Sequence, residues 1–524
     1  MHVFIIKIDF MKTKCFIYWI TGLLAIGIAG CSVIDDYSVS PNHFLSFSTD
    51  TLSFDTVFTT IGSTTNYFMI YNRNSEALKI ERIVLAGGGR NGFRINVDGR
   101  KGDNFTDIPI WKNDSLYVAV EVTVNPNDDN SPFVMFDSVV FVTNGRSQYV
   151  LLEAYGQNAH ILKEGTIFSG DTTLTADRPY LVYDSIYIPE GVTVVVEQGA
   201  SFYMHKDAKW LIDGTLKTFG TQSEPVVFRA DRLNNFSTIL SYDHISAQWG
   251  GLFFGALSFD NEINYTQIRN GITGLMFEES TPDRKKIDIR HSQINNMDGN
   301  ILQAVNCHIE ASNTEFSNAG DYLVMLSGGK YQFTHCTLAN YMQGVMISHN
   351  KTRFFPTLTL SDNIITLDEK GEVKNYTFPL LQAFFDNCII DGSLSPDTTS
   401  KYQGEILFST GIDYIDGHDE QFNYRFNHCV IKTKKVDNER FNEVVFVDNP
   451  KEESMKYVKN GKNEDDLYDY IYDFRLSDES LGIGKADRSI AEQFPVDRYG
   501  VDRLTSEFGP SIGAYEYVPE ENNE

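Results

Sequence analysis

Basic residues are scarce. The chain of 524 residues sets 44 Lys and Arg against 71 Asp and Glu, a formal net charge of −27. A surface of that sign repels phosphate backbones and argues against nucleic acid as a partner. It also disfavours a polyanionic glycan, except where a basic patch or a bound cation reverses the field locally. Proline is sparse, at 15 against 39 glycines, which suits a chain with many tight turns. The 11 histidines are scattered, with no His-x-x-x-His or paired-cysteine spacing for a metal. A Gly-rich phosphate loop is missing, and so is any recognisable glycosidase or lyase motif. No cofactor, metal or catalytic residue is therefore expected. Past residue 30 no apolar run reaches 18 residues, so no later segment reads as a membrane span. The apolar fraction, 42%, describes a folded protein, and the length exceeds what one compact core organises.

What is present begins with a delivery signal. Met11-Lys12-Thr13-Lys14 forms a short basic region, and Phe16 to Ala29 an apolar run of the length of a signal-peptide core. The run ends Ile28-Ala29-Gly30-Cys31, which resembles a lipobox. That resemblance implies a signal peptide over 1–30, lipidation at Cys31 and a tether over 31–40. The acyl chains would then be the membrane anchor. Asp35-Asp36 resembles a surface-export signal of some Gram-negative lipoproteins, so the expected location is the outer membrane of a Gram-negative cell, on either its periplasmic face or, by that signal, the cell surface.

Residues 41–157 read as alternating strands separated by polar, Gly- or Asn-rich breaks, the pattern of an antiparallel sandwich. Phe68 to Asn72, Val120 to Pro126, Thr143-Asn144 and Gly156 follow in the order seen in immunoglobulin-like domains of the abnormal-spindle and Hydin type, which they resemble. Such a resemblance implies a spacer or contact module.

Over 160–460 the dominant signal is internal repetition. Thr266-Gln267-Ile268, Ser292-Gln293-Ile294, Thr314-Glu315-Phe316, Cys336-Thr337-Leu338, Asn363-Ile364-Ile365, Cys388-Ile389-Ile390 and Cys429-Val430-Ile431 each set a small residue, a variable one and a large apolar one in a row. Alternation puts the first and third side chains on one face of a strand. Asn270, Asn296, Asn318 and Asn340 stand in phase two residues later, where Asn tolerates left-handed backbone and its amide can bond the next Asn in a stack. Coils of this kind predict an all-β parallel β-helix with inward files of small and apolar residues. On this alignment the 363 coil separates Cys336 from Cys388 by two rungs, roughly 10 Å, beyond disulfide reach of about 7 Å. Cys388 and Cys429 can be adjacent; buried, unpaired thiols are expected.

The phrases Ile188-Pro189-Glu190-Gly191-Val192-Thr193-Val194, Ile212-Asp213-Gly214-Thr215-Leu216 and Trp249-Gly250-Gly251-Leu252 resemble the first coils of right-handed β-helix repeat proteins. Residues 461–519, with Asp473-Phe474-Arg475-Leu476, Asp497 to Arg503 and Gly513-Ala514-Tyr515-Glu516, are similar to the terminal segment of β-helix surface proteins. Ser511 and Tyr499 replace that segment's usual aspartates. A last coil has an open edge, so Asp497, Arg503 and Glu516 are read as its cap.

The ligand candidates are Arg284, Lys285 and His291 beside one coil strand, and Tyr331 and Tyr341 among coil aromatics expected to face out in part. The expected function is an envelope lipoprotein that binds a glycan or an envelope protein along its coils without catalysis. A polysaccharide lyase or glycoside hydrolase on the same scaffold is the alternative.

Overall fold

The computed structural model describes residues 37–59, 62–126, 130–163, 165–233, 241–342, 355–367, 373–396, 403–410, 421–462 and 468–519. Cys31 and the rest of the delivery signal lie outside them. The chain divides into two compact units. One comprises residues up to Asn125 with Val134–Tyr155; the other comprises Pro126–Phe133 with the residues from Gly156 on. Among the described residues no helix is long and apolar enough to cross a membrane.

The first unit is a β-sandwich. One sheet orders Ser46–Phe47, Asn66–Tyr71, Ser115–Val122, Phe93–Val97 and Arg100–Gly102; the other orders Thr51–Phe58, Arg146–Gln157, Phe133–Thr143, Leu78–Leu85 and Asn104–Ile110. Alternation explains its core. Phe68 and Ile70, Val118, Val120 and Val122 are buried from one sheet, and Ile80, Val139, Phe141 and Leu152 from the other. The motif residues are structural. The buried Asn72 amide donates to Glu76 O (2.8 Å) and Trp111 O (3.0 Å), and Asn144 holds a left-handed turn at φ 50°.

The second unit is a parallel β-helix. Among the described residues its three sheets hold 11, 9 and 10 strands, and each coil as far as Phe422–Asn427 contributes one strand to each in turn. Tyr180–Val182, Ile186–Ile188 and Thr193–Glu197 make one coil; Ser201–Met204, Lys209–Ile212 and Thr215–Phe219 lie in register above them. Strand pairing therefore stacks like positions into files. In the first sheet one inward file runs Phe228, Ile268, Ile294, Phe316, Leu338, Ile390, Ile431. In the third, Phe333, Phe385, Phe426 and Phe441 stack with centroids 5.0–5.1 Å apart. Offset ring stacks of this kind add to the stabilisation from area buried.

One coil of the sequence alignment is corrected. Thr337–Asn340 pairs directly with Ile389–Gly392, so the Asn363 triplet is not a rung of the first sheet. Asn363–Leu367 instead pairs antiparallel with Val373–Thr377 in a hairpin inserted between a second-sheet strand, Leu358–Ser361, and a third-sheet strand, Leu380–Asp386. Cys336 and Cys388 thus stand on adjacent rungs, with the Cys336 amide donating to Cys388 Sγ at 3.4 Å. Cys307, Cys336, Cys388 and Cys429 are all buried free thiols.

The C-terminal segment is the second correction. Asp497, Arg503 and Glu516 sit beside earlier coils, where Arg503 donates to Asn313 Oδ1 (3.0 Å) and pairs with Glu516. They strap the flank of the β-helix, and apolar residues on the outer face of the first sheet (Ala339, Ile389, Val430) join Phe474, Ile512 and Tyr515 in a second core. The Gly513 amide donates to Asn387 O (2.9 Å), Ala514 N to Thr337 Oγ1 (3.0 Å), and Arg498 Nε to Ser292 O (3.3 Å).

A candidate ligand-binding site

The asparagine file is vertically aligned by register: Ile268, Ile294, Phe316 and Leu338 pair in series, and each Asn lies two residues further on. Asn270, Asn296 and Asn318 adopt φ of 70°, 58° and 62°. The bonds differ from the expected amide-to-amide stack. Asn340 Nδ2 donates to Ala319 O (3.0 Å), its Oδ1 accepts from Ala319 N (3.2 Å), and Asn318 Oδ1 accepts from Tyr341 N (3.0 Å). Asn270 Nδ2 donates to Asp243 O at 2.7 Å. Each of these amides ties one main-chain turn to another, and the file is buried, so it is framework and not ligand surface.

Sequence reasoning missed a second turn file. Tyr265, His291, Asn313, His335, Asn387 and His428 each precede the small residue of a rung, and each is left-handed, at φ 43–55°. This file, not a ligand groove, explains His291. Its ring stacks on Tyr265 (4.5 Å, 6°), its Nε2 lies 3.2 Å from Asn313 Nδ2, and the C-terminal strap lies beside it. Burial, and then Arg290, Arg503 and Arg498, lower its pKa to about 4. The neutral ring is therefore the folded form, while the unfolded chain protonates near the ordinary value of 6.5. The sign follows: this contribution is complete above pH 6.5 and is lost as the pH falls toward 4. Thermal melts should show the midpoint dropping from pH 7 to pH 5, with a smaller drop in His291→Asn; equal drops in both would remove the assignment.

The basic candidates are also internally engaged. Arg284 pairs with Asp260, and Lys285 pairs with Glu310 and lies 3.5 Å from Asp288. Arg290 bridges Asp288 (3.0 Å) and Glu262 (3.2 Å). Glu262, Asp288 and Glu310 occupy one outward file of the third sheet, so these half-exposed ion pairs form a lattice across coils. Burial opposes the charge on Lys285, but Glu310 and Asp288 outweigh it and hold its pKa above the ordinary value. That favours a charged ammonium and disfavours a lyase base.

The tyrosine candidates point elsewhere than expected. Tyr331 is fully buried inside the coil, as is Phe333. Lys330-Tyr331-Gln332-Phe333 alternates, and the inward face takes both rings. Tyr341 donates to Asp391 Oδ2 (2.6 Å) and packs on Phe474 of the C-terminal segment (6.0 Å). Tyr331 is closed to a ligand, and the hydroxyl of the half-buried Tyr341 is engaged by Asp391.

An open cavity of about 410 Å³ lies instead on the outer face of the second sheet. Its lining includes Phe253 and Met276, adjacent-rung partners within Gly251–Phe254 and Leu275–Phe277, and Gln303 on the next rung. Ile364 and Tyr376, cross-strand partners in the inserted hairpin, and Phe378 line it as well. The hairpin is anchored where Ser361 Oγ donates to Asn363 O (2.8 Å) and Phe378 N to Asp362 O (2.7 Å). Gly328 lets Phe378 seat closely, since a Cβ there would lie 2.3 Å from Phe378 Cβ. Glu278 and Glu279, exposed, supply the carboxylates. The turn carrying them is braced from the next coil, where Asn306 Nδ2 donates to Ser280 O at 2.9 Å. Apolar walls with a few polar groups describe a small-molecule or sugar site, in which ring faces stack and carboxylates and an amide bond hydroxyls. Among the described residues no cluster of His, Cys, Asp and Glu is arranged to hold a metal ion.

No family model matches the chain, and no curated protein matches it in sequence. Among solved structures, the catalytic domain of a GH87 α-1,3-glucanase in complex with tetrasaccharides is 10% identical, covering 70% of this chain and 82% of that one, with a TM-score of 0.17. A family 123 glycoside hydrolase from Clostridium perfringens is 9% identical over 23% of this chain and 30% of that one, with a TM-score of 0.17. The ASH / PapD-like domain of human CEP192 is 10% identical over 25% of this chain and 95% of that one, with a TM-score of 0.16. These are distant similarities, and function has to be argued from this chain's own residues.

Proposed function

We propose that the chain is a cell-envelope lipoprotein, tethered through lipidated Cys31 and displayed at the outer membrane surface, that binds a glycan without turning it over. The observation that carries the binding role is the second-sheet cavity, whose aromatic lining and carboxylates suit the faces and hydroxyls of a sugar. A rigid sheet presents Phe253 and Met276 without a large ordering cost on binding. Tethering predicts that metabolic labelling with a fatty acid marks the wild-type chain and not Cys31→Ser.

Phe253→Ala is expected to weaken glycan binding about tenfold, the loss of one ring-stacking contact. Calorimetric titration checks this, and unchanged affinity would remove the cavity from the account. A glycoside hydrolase is the second reading, favoured by Glu278 and Glu279 lining one cavity. New reducing or unsaturated ends released from any polysaccharide, and lost in Glu278→Gln, would establish that reading instead.

A further inference from the structure

The apolar surface does not stop at the cavity. Strand register places Tyr187, Leu211, Phe253 and Met276 one over another on four successive coils, all on the outer face of the second sheet and all half-buried. Water-facing positions of a sheet are ordinarily polar, so an unbroken file of large apolar side chains marks a contact surface. At about 4.8 Å per rung the file spans roughly 14 Å, longer than a single sugar ring.

Polar groups flank it on the same face. Lys209 and Asp213 lie two residues either side of Leu211, and Glu278 lies two residues past Met276. Tyr187 Oη donates to Asp213 Oδ2 at 2.8 Å, which fixes the ring at the far end. Among the described residues no Lys or Arg lines the cavity itself, and Lys286 in the nearby turn is buried with Nζ on Gly255 O at 2.6 Å.

We infer that the ligand is a linear, uncharged glycan laid along the β-helix axis, with one sugar in the cavity against Phe253 and Met276 and its neighbours packed on Leu211 and stacked on Tyr187. This rests on the glycan reading of the cavity and adds direction, length and charge to it. An apolar centre suits pyranose faces, and mixed-sign flanks suit hydroxyls. The carboxylates Asp213, Glu278 and Glu279 disfavour uronic acids.

The test is titration of the full chain with neutral oligosaccharides of two to six sugars, from β-1,4-glucan, α-1,4-glucan, mannan and xylan, with oligogalacturonate as the anionic control. Affinity should rise with length, oligogalacturonate should not bind, and Tyr187→Ala should weaken the hexasaccharide roughly tenfold while sparing the disaccharide. Tyr187→Phe, which keeps the ring, should retain binding and so separates stacking from misfolding. Length-independent affinity that still needs Phe253 would overturn the track and leave the cavity reading standing. Binding by no member of the panel would overturn both, and preference for oligogalacturonate would overturn the charge assignment.

Discussion

Arg503→Met is expected to cost about 3–5 kcal/mol, the loss that follows when one partner of a buried ion pair is removed. Arg503 and Glu516 both have fully buried side chains, with Nη1 and Oε2 3.5 Å apart. Arg503 also donates to Ser511 O (3.3 Å), Gly513 O (3.0 Å) and Asn313 Oδ1 (3.0 Å), joining the C-terminal strap to the second turn file. Burial lowers the Arg503 pKa, opposed by Asp497 and Glu516, and raises that of Glu516, opposed by hydrogen bonds from Ser511 and by Arg503. The single variant leaves Glu516 buried without its cation, with only hydrogen bonds such as those from Ser511 N (2.9 Å) and Ser511 Oγ (2.7 Å). Arg503→Met with Glu516→Met should recover part of the loss, since no charge of the pair is left buried, while Ser511, Gly513 and Asn313 still lose their side-chain partners. Native-state hydrogen exchange at the Gly513 and Ala514 amides reads the strap directly, because they bond Asn387 O and Thr337 Oγ1 on the coils. A loss below about 1 kcal/mol, the range of an exposed pair, would contradict a buried one.

Phe385→Ala should cost about 3–5 kcal/mol, the range for deleting a buried aromatic ring. The ring is fully buried and sits between Phe333 and Phe426 at 5.0 and 5.1 Å. Each coil contacts mainly its neighbours, so the damage should concentrate in the coils around 333, 385 and 426 and leave those near 202 intact. Urea unfolding with exchange readout locates it. A change within about 0.5 kcal/mol, as for surface substitutions, would mean the ring is not in the stack.

Particular residues show what could be read in advance. The first-sheet files were legible because a small residue and a large apolar one alternate around a variable one at each rung. The same pattern in Asn363-Ile364-Ile365 belongs to an inserted hairpin; a three-residue alternation says strand, but not which sheet or partner. The inward direction of Tyr331 was also legible, since it alternates with Lys330 and Gln332 and shares a face with Phe333. The second turn file was readable in the residue before each Thr, Ser or Cys, yet Tyr, His and Asn have little in common except tolerance of, or compulsion into, left-handed backbone. The cavity was not legible. Phe253 and Met276 meet only through strand register, and Tyr376 and Phe378 reach them only because the hairpin folds at that corner.

Hydroxyl-radical footprinting of the full chain, with and without a saturating neutral hexasaccharide, is the most direct measurement. Oxidation of Met276, Phe253, Tyr376 and Tyr187 should fall together while the exposed sandwich residues Tyr67 and Tyr149 stay unchanged. Protection confined to the Glu262–Asp288–Glu310 face, or no protection on the second sheet by a sugar that binds, would contradict the assignment of ligand binding to that surface.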